Sequence, residues 1–156
     1  NEAWLVVDFL SSKKVPVILE RTHSLPSNSD DDIDQPYKTA KALFDNNITF
    51  CFDYAGDMEA MGSRNLPFAA GTAVAYGLKY EAAVKALTLN AAIILGIDEI
   101  CGSLESGKDA TLFVSTGDAL DALTNDVTHA FIQGRPINLD NPQKYLYRKY
   151  KAKASE

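Results

Sequence analysis

The sequence predicts an α/β fold with a strand–helix–strand unit in its first half and an antiparallel unit and a helix at its end. Two short apolar runs, VPVILE at 15–20 and ITFCF at 48–52, have the length and composition of strands buried in a parallel sheet. A helical pattern separates them, and such a unit requires a parallel pair with a right-handed crossover. After residue 97, glycine-bearing turns alternate with β-rich runs, which indicates antiparallel pairing.

The first half of the chain also contains two predicted helices and one long polar loop. Apolar residues at positions 3, 6, 7 and 10 have helical spacing, and Lys13 and Lys14 suit a helix C-terminus. Because the chain begins inside this pattern and without Met, we expect it to belong to a longer protein. The loop at 21–35, RTHSLPSNSDDDIDQ, is either an active-site loop or a flexible connection. A second helix is expected from Pro36, where proline fits the first turn, to residue 47.

Helical segments and then strands follow the second apolar run. The segment 67–76 is rich in Ala and Gly, so its backbone can approach a neighbour closely. The segment 80–87 carries one apolar stripe, and the next turn, AAIILG, ends at Gly96 as a plausible C-cap. The segments 110–114 and 127–133 are predicted to pair as antiparallel strands, and a last helix is expected after residue 141.

Composition and charge exclude several classes of protein. With 156 residues and 46% hydrophobic content, the chain can bury a core as one domain, with or without a small appendage. The net charge of −6, from 21 acidic and 15 basic residues, argues against a nucleic-acid partner, which needs clustered positive charge. No apolar run reaches the length of a membrane span, so no membrane partner is expected. Cys51 and Cys101 match no metal-ligand spacing.

The segment 53–78 contains the first candidates for catalysis. Asp53 and Asp57 follow the second predicted strand, and barrel and doubly wound enzymes keep their catalytic groups at this end of parallel strands. Asp beside Gly is also ordinary turn chemistry, which we favour from these residues alone. His23, just past the first predicted strand, would lie on the same edge. A mixed His and carboxylate site and a locally hydrogen-bonded loop histidine therefore both stay open.

The other candidates are weaker. His129 lies within a predicted strand, where a packed or surface role is expected, and no two histidines have the spacing of a metal site. The sequence has no nucleophile elbow, no phosphate-binding glycine loop and no CxxC motif. The acidic run at 30–32 could attract a divalent cation, although a solvated acidic loop is far more common.

Four segments in order resemble the C-terminal part of the amidohydrolase superfamily, close to its imidazolonepropionase-like branch. They are RNLPFAAGTAVAYGL, EAAVKALTLNAAIILGID, GSLESGKDATLFVSTGDAL and VTHAFIQGRPI. The resemblance implies an α/β fold with a partial (β/α) barrel formed by the last two strand–helix units over residues 1–97. A small β-sandwich portion would follow over 98–139, and a C-terminal helix over 140–156.

The resemblance also implies a function. Enzymes of this family hydrolyse amide or cyclic amide C–N bonds at one or two divalent metals. We expect the metal, zinc first, in the full-length parent protein and none in this fragment. The acid beyond the last barrel strand binds metal and acts as general base. Counting back from RNLP places this role on Asp57, with Asp53 as the fallback. The resemblance further implies that His23 and Arg64 contact the substrate.

The chain also departs from the family pattern. The His-x-His pair of the first barrel strand is absent from the sequence, so we expect a C-terminal fragment that is inactive by itself. A quarter of a barrel leaves strand edges and apolar helix faces exposed, which predicts a homo-oligomer with an extensive apolar interface. The alternative function is therefore that of a noncatalytic, self-associating structural or binding module.

Overall fold

The two apolar runs near the start of the chain form a parallel pair of strands, as predicted. The computed structural model describes residues 2–20, 22–54 and 59–154. In it, β1 (Val17–Glu20) and β2 (Phe50–Asp53) form a two-stranded sheet. Val17 lies opposite Phe50 at one end of the pair and Glu20 lies opposite Asp53 at the other. The carboxyl ends of both strands therefore meet at one edge of the sheet.

Both strands begin two residues later than the sequence predicts, because the preceding residues close a helix. A 3₁₀ turn (Ala3–Val6) and helix α1 (Val7–Lys13) precede β1, and α2 (Gln35–Asp45) connects β1 to β2. The amide of Val15 donates to the carbonyl of Leu10 in α1 at 3.0 Å. The amide of Ile48 donates to Leu43 of α2, also at 3.0 Å. These amides satisfy carbonyls at the helix ends and cannot also pair in the sheet.

Three helices follow β2 after a 3₁₀ segment (Glu59–Asn65). They are α3 (Leu66–Ala75), α4 (Tyr80–Leu87) and α5 (Leu89–Leu95), and the first two match the predicted segments closely. Gly96 ends α5 with a positive φ of 69°, which confirms its predicted capping role. Across the described residues, no helix has the length and apolar character needed to cross a bilayer.

The last part of the chain forms a second, antiparallel sheet and a helix. The predicted pair is confirmed as β3 (Leu112–Ser115) and β4 (Val127–Ile132). A third strand, β5 (Arg135–Pro136), pairs with β4 across a two-residue turn and was not predicted, because two residues give no pattern to detect. Helix α6 (Pro142–Ala154) follows.

The hydrophobic core forms around β2. The rings of Phe50 and Phe52 pack edge to face with centroids 5.7 Å apart, and both side chains are buried. Burying a side chain of this size contributes about 1.5–3 kcal/mol. The helices cover the strand mainly with alanines, which allow close approach; they are Ala40, Ala70, Ala73, Ala83 and Ala86.

Helix α3 lies against the segment 118–122 through a glycine. A Cβ built on Gly71 would lie 2.1 Å from the carbonyl oxygen of Leu120, far inside contact distance. Leu120 is itself buried in the core. The absence of a side chain at Gly71 therefore sets how closely this segment approaches α3, as the Ala- and Gly-rich composition of the helix predicts.

We expect Gly71→Ala to lower the free energy of unfolding by about 1–3 kcal/mol, because the new methyl group must push the backbone at Leu120 away. Urea unfolding followed by circular dichroism measures this change. At a helical position without such a contact, Gly to Ala would instead raise stability by about 1 kcal/mol, so a gain contradicts the prediction. Ala75→Gly, at an exposed position of the same helix, is the control for helix propensity.

Candidate functional site

Two of the candidate residues, Asp53 and His23, lie at or just beyond the carboxyl edge of the β1–β2 pair. Asp53 ends β2 and is half-buried, directly opposite Glu20 of β1. The loop after β1 leads to His23, and the segment after β2 leads to the 3₁₀ turn that contains Arg64. Asp57, four residues beyond Asp53 along the chain, lies outside the described residues. The parallel pairing therefore brings the origins of both candidate loops to one edge.

His23 is held by helix α3. Its Nε2 atom lies 2.7 Å from the Oγ1 atom of Thr72. The imidazole also packs edge-on against the ring of Tyr37, with centroids 6.2 Å apart, and Tyr37 in turn contacts Tyr76 at 5.1 Å. His23 is exposed but has a defined orientation, and its partner Thr72 lies 49 residues away along the chain. The structure therefore does not show the locally hydrogen-bonded loop histidine that the sequence left open.

A cavity of about 410 Å³ opens beside His23, between α3 and the segment 118–122. Tyr80 donates its hydroxyl proton to Oδ1 of Asp118 at 2.8 Å, and Asp118 also accepts from the amide of Leu120. The bond to Asp118 raises the pKa of Tyr80 above its usual value, because ionising the phenol would break it beside a carboxylate. The lining combines one imidazole, two carboxylates and an apolar wall: His23, Phe68, Gly71, Thr72, Val74, Ala75, Tyr80, Asp118, Leu120, Asp121 and Ala122.

The described residues do not place all the candidates in this cavity. Asp53 and Arg64 are absent from its lining. Arg64 is an exposed side chain in the last turn of the 3₁₀ segment. The described structure thus brings His23 together with Thr72 and the Tyr80–Asp118 pair, and does not bring it together with Arg64 there.

A second cavity, of about 380 Å³, lies at the opposite end of β2. Thr49 and Phe50, where the strand begins, contribute to its lining with Lys79, Lys85 and Asn90. The side-chain amide of Asn90 donates to the carbonyl of Phe50 at 2.9 Å and so fastens α5 to the strand. In folds with parallel strands this amino end serves stability, whereas catalytic groups gather at the carboxyl end.

Cys51 lies in β2, two residues before Asp53. Its side chain is buried, and burial raises the pKa of the thiol; the negative charge of Asp53 raises it further. Both causes disfavour the thiolate, which is the nucleophilic form. Cys51 is therefore a packing residue of the strand and not a nucleophile.

Three carboxylates of the acidic loop before α2 have partners close by in the sequence. Oδ2 of Asp31 accepts hydrogen bonds from both the backbone and the side chain of Asn28 at 3.1 Å. Lys38 bridges Asp32 and Asp34 at 2.5 and 2.6 Å, and its ammonium group lowers the pKa of Asp32. This agrees with the solvated acidic loop that the sequence favours over a cation site.

The described residues do not form a complete metal site. Within 2–20, 22–54 and 59–154, no group of three or more His, Cys, Asp or Glu side chains could hold a metal ion together. A divalent ion with several protein ligands would need groups from outside these ranges.

Comparison with known proteins shows to which family the chain belongs. The sequence model of the Amidohydrolase family matches residues 14–137, which is most of the chain. The chain belongs to the amidohydrolase family. The resemblance carried by the four sequence segments is thereby confirmed.

Individual relatives agree with this assignment. An imidazolonepropionase from Thermoplasma volcanium is 36% identical over 84 residues, which are 53% of this chain and 20% of that protein. The crystal structure of an amidohydrolase from Thermotoga maritima MSB8 superposes with a TM-score of 0.73 at 27% identity, over 88% of this chain and 35% of that one. A prolidase crystallised with N-methylphosphonate-L-proline has a TM-score of 0.62 at 16% identity, over 86% of this chain and 38% of that one, a likeness of fold alone. This amidohydrolase chain therefore spans between a fifth and two fifths of these relatives.

Sequence reasoning missed Thr72, Tyr80 and Asp118 as partners around His23. Thr72 lies within an Ala- and Gly-rich helix, and Tyr80 and Asp118 are 38 residues apart in the sequence. No local pattern marks such residues, because each acquires its role only when α3 packs against the loop after β1 and the segment before β4.

We expect Cys51 to react with iodoacetamide at pH 8 at least about tenfold more slowly than the less buried Cys101, because burial suppresses its thiolate. Mass spectrometry of labelled peptides over time measures both rates in one sample. Asp53→Asn removes the smaller cause and leaves burial, so Cys51 should stay the slower thiol in that variant. Equal rates in the folded protein would contradict the assignment, and unfolding in urea is the control that should equalise them.

Proposed function

We propose that this chain is part of a metal-dependent amidohydrolase that hydrolyses amide or cyclic amide C–N bonds. Family membership supports the reaction class, and the carboxyl edge of the β1–β2 pair supports the location of the site. In this proposal β1 and β2 are the last two strands of a partial (β/α) barrel, and the antiparallel sheet of β3, β4 and β5 is a portion of a β-sandwich. The chain by itself is inactive and supplies one side of the active site.

The proposed roles belong to residues of the two chain segments that follow β1 and β2. Asp57 is the general base, which takes a proton from an attacking water and passes it to the leaving nitrogen. Asp53, at the end of β2, is the alternative for this role. His23 and Arg64 contact the substrate. The observation that carries this assignment is the register of the parallel pair, since Glu20 opposite Asp53 places both loops at the same edge.

The metal requires residues from beyond the described ranges. Asp57 is the one ligand that we propose for this chain, and the described residues hold no cluster that would complete the site. When bound, a divalent ion such as zinc would supply Lewis acidity toward the scissile carbonyl and its water. The remaining ligands would come from other parts of the amidohydrolase.

The proposal predicts that Asp57→Asn removes hydrolysis of N-acyl and cyclic amides by a longer amidohydrolase chain that contains this segment, because the amide cannot accept a proton. We expect a loss of at least about 10²-fold in kcat, the usual contribution of a general base. Asp53→Asn is the matched control and should keep most of the activity. Measured kinetics with the opposite ranking would move the base to Asp53.

Equal activity of both variants with the wild type would instead refute a carboxylate base at this edge. Metal content of each variant, measured by mass spectrometry, separates loss of the base from loss of the metal. His23→Ala and Arg64→Ala should mainly raise KM if these residues contact the substrate.

The second candidate function, a noncatalytic self-associating module, is favoured by exposed apolar side chains in β1 and in the segment that precedes it. Leu5 and Phe9 are 56% and 59% exposed near the start of the chain, and Ile18 of β1 is 51% exposed. Among the described residues, β1 and β2 each have one strand neighbour, so each leaves one edge unpaired. We propose that a second copy of the chain covers this surface, because unpaired edges with apolar side chains favour association.

We expect self-association of this 156-residue chain to be concentration dependent in sedimentation velocity, and Ile18→Lys to weaken it by about tenfold or more, because a lysine must be desolvated at the interface. Ile132→Lys is the matched control: Ile132 lies in β4 and is 52% exposed, so the same charge is added at equal exposure. A monomer at all concentrations, or equal effects of both substitutions, would rule out this surface.

A further inference from the structure

We infer that Thr72 is a positioning residue that fixes the orientation and the tautomer of His23, with the proton on Nε2 and the lone pair on Nδ1. The contact of His23 with substrate rests on the proposed function; its positioning by Thr72 rests on geometry alone. Two hydrogen bonds meet at Oγ1 of Thr72: one at 2.7 Å from Nε2 of His23, and one at 3.0 Å to the carbonyl of Phe68.

The direction of each bond follows from counting protons. A threonine hydroxyl has one proton to donate and lone pairs to accept with. The carbonyl of Phe68 can only accept, so the hydroxyl proton of Thr72 goes to it, one helical turn back. Oγ1 therefore accepts in its contact with His23, and Nε2 must carry the proton. The opposite tautomer would bring two lone pairs together or break the bond to Phe68.

The other ring nitrogen, Nδ1, is then the atom that can accept a hydrogen bond from a ligand. Nδ1 of His23 has no hydrogen-bond partner within the described part of the chain, and the ring lines the 410 Å³ cavity together with Thr72. In the neutral tautomer, this atom is an acceptor. The class of ligand that it fits is a hydrogen-bond donor such as an amide N–H, which the proposed substrates carry.

Packing restricts the ring further. Tyr37 lies edge-on to the imidazole, with an interplanar angle of 77°, and Tyr37 is itself supported by Tyr76 at the end of α3. A 180° flip of the ring would put the carbon Cε1 in the place of Nε2 and so lose the bond to Thr72. Thr72 and the two tyrosines therefore hold an otherwise exposed side chain in one orientation.

The other histidine of the chain provides an internal comparison. His129 also contacts a threonine, but through Nδ1, which lies 3.1 Å from Oγ1 of Thr128. Thr128 donates its hydroxyl proton to the carbonyl of Val114 at 3.3 Å. The same counting places the proton of His129 on Nδ1, so the two histidines are expected to be biased toward opposite tautomers. The longer distances at His129 predict a smaller bias.

The experiment is long-range ¹H–¹⁵N NMR of the ¹⁵N-labelled chain at a pH where both imidazoles are neutral. Only two histidines are present, so His129→Gln assigns the spectrum. In the wild type we expect His23 to be in the Nε2–H form, with a tautomer ratio about fivefold larger than in Thr72→Val, which is the factor that one ordinary hydrogen bond supplies. We also expect the Nε2 proton to exchange slowly with water.

Three variants test the cause. Thr72→Val keeps the shape and removes the acceptor, so the slowly exchanging Nε2 proton of His23 should be lost while His129 is unchanged. Thr72→Ser should restore it, and Thr128→Val should affect His129 alone by shifting it away from the Nδ1–H form. A merely structural role of Thr72 would change stability without this selectivity.

Two results would overturn the inference. One is an Nδ1–H form of His23 in the wild type, which needs no variant to fold. The other is a His23 signal that is identical in the wild type and Thr72→Val. Because the spectra require neither substrate nor metal, their outcome is independent of whether a longer chain hydrolyses amides, and the two proposals can fail separately.

Discussion

The parallel register between β1 and β2 is the constraint on which the rest of the structure depends. β2 is buried along its length, and its two phenylalanines form the centre of the core, whereas β1 buries Leu19 and leaves Ile18 exposed. A slip of one residue would turn buried side chains outward, so the pattern of burial fixes the pairing. The helices then cover β2 through alanines, and Asn90 fastens α5 to the carbonyl of Phe50.

The same register decides where chemistry can occur. It brings the ends of both strands to one edge, from which one loop leads to His23 and the other to the segment with Asp57 and Arg64. The close approach of Gly71 to Leu120 then closes the cavity beside His23 from the other side. The amino end of β2 has a cavity too, and one of its polar side chains, Asn90, fastens α5 to the strand. The amino end of β2 thus supports the packing of a helix, and its carboxyl end leads to the candidate site.

The chain belongs to the amidohydrolase family and spans between a fifth and two fifths of the relatives that it matches. Within the described residues it has the carboxyl edge of a parallel pair of strands and, just beyond β1, a histidine with a defined orientation. No three His, Cys, Asp or Glu side chains of these residues could hold a metal ion together. Apolar side chains in and before β1 are exposed, among them Leu5, Phe9 and Ile18.

The sequence by itself determined the helices, the parallel β1–β2 pair, the antiparallel β3–β4 pair and the family, but not β5. Apolar runs, caps such as Gly96 and the Ala- and Gly-rich helix are set within about ten residues, and all were predictable. Only the tertiary structure decided that His23 contacts Thr72, that Tyr80 contacts Asp118 and that Gly71 meets Leu120. These pairs are separated by 38 to 49 residues, so their contacts depend on how whole helices cross and not on any local preference. Asp57 remains a prediction from the sequence, since it lies outside the described residues.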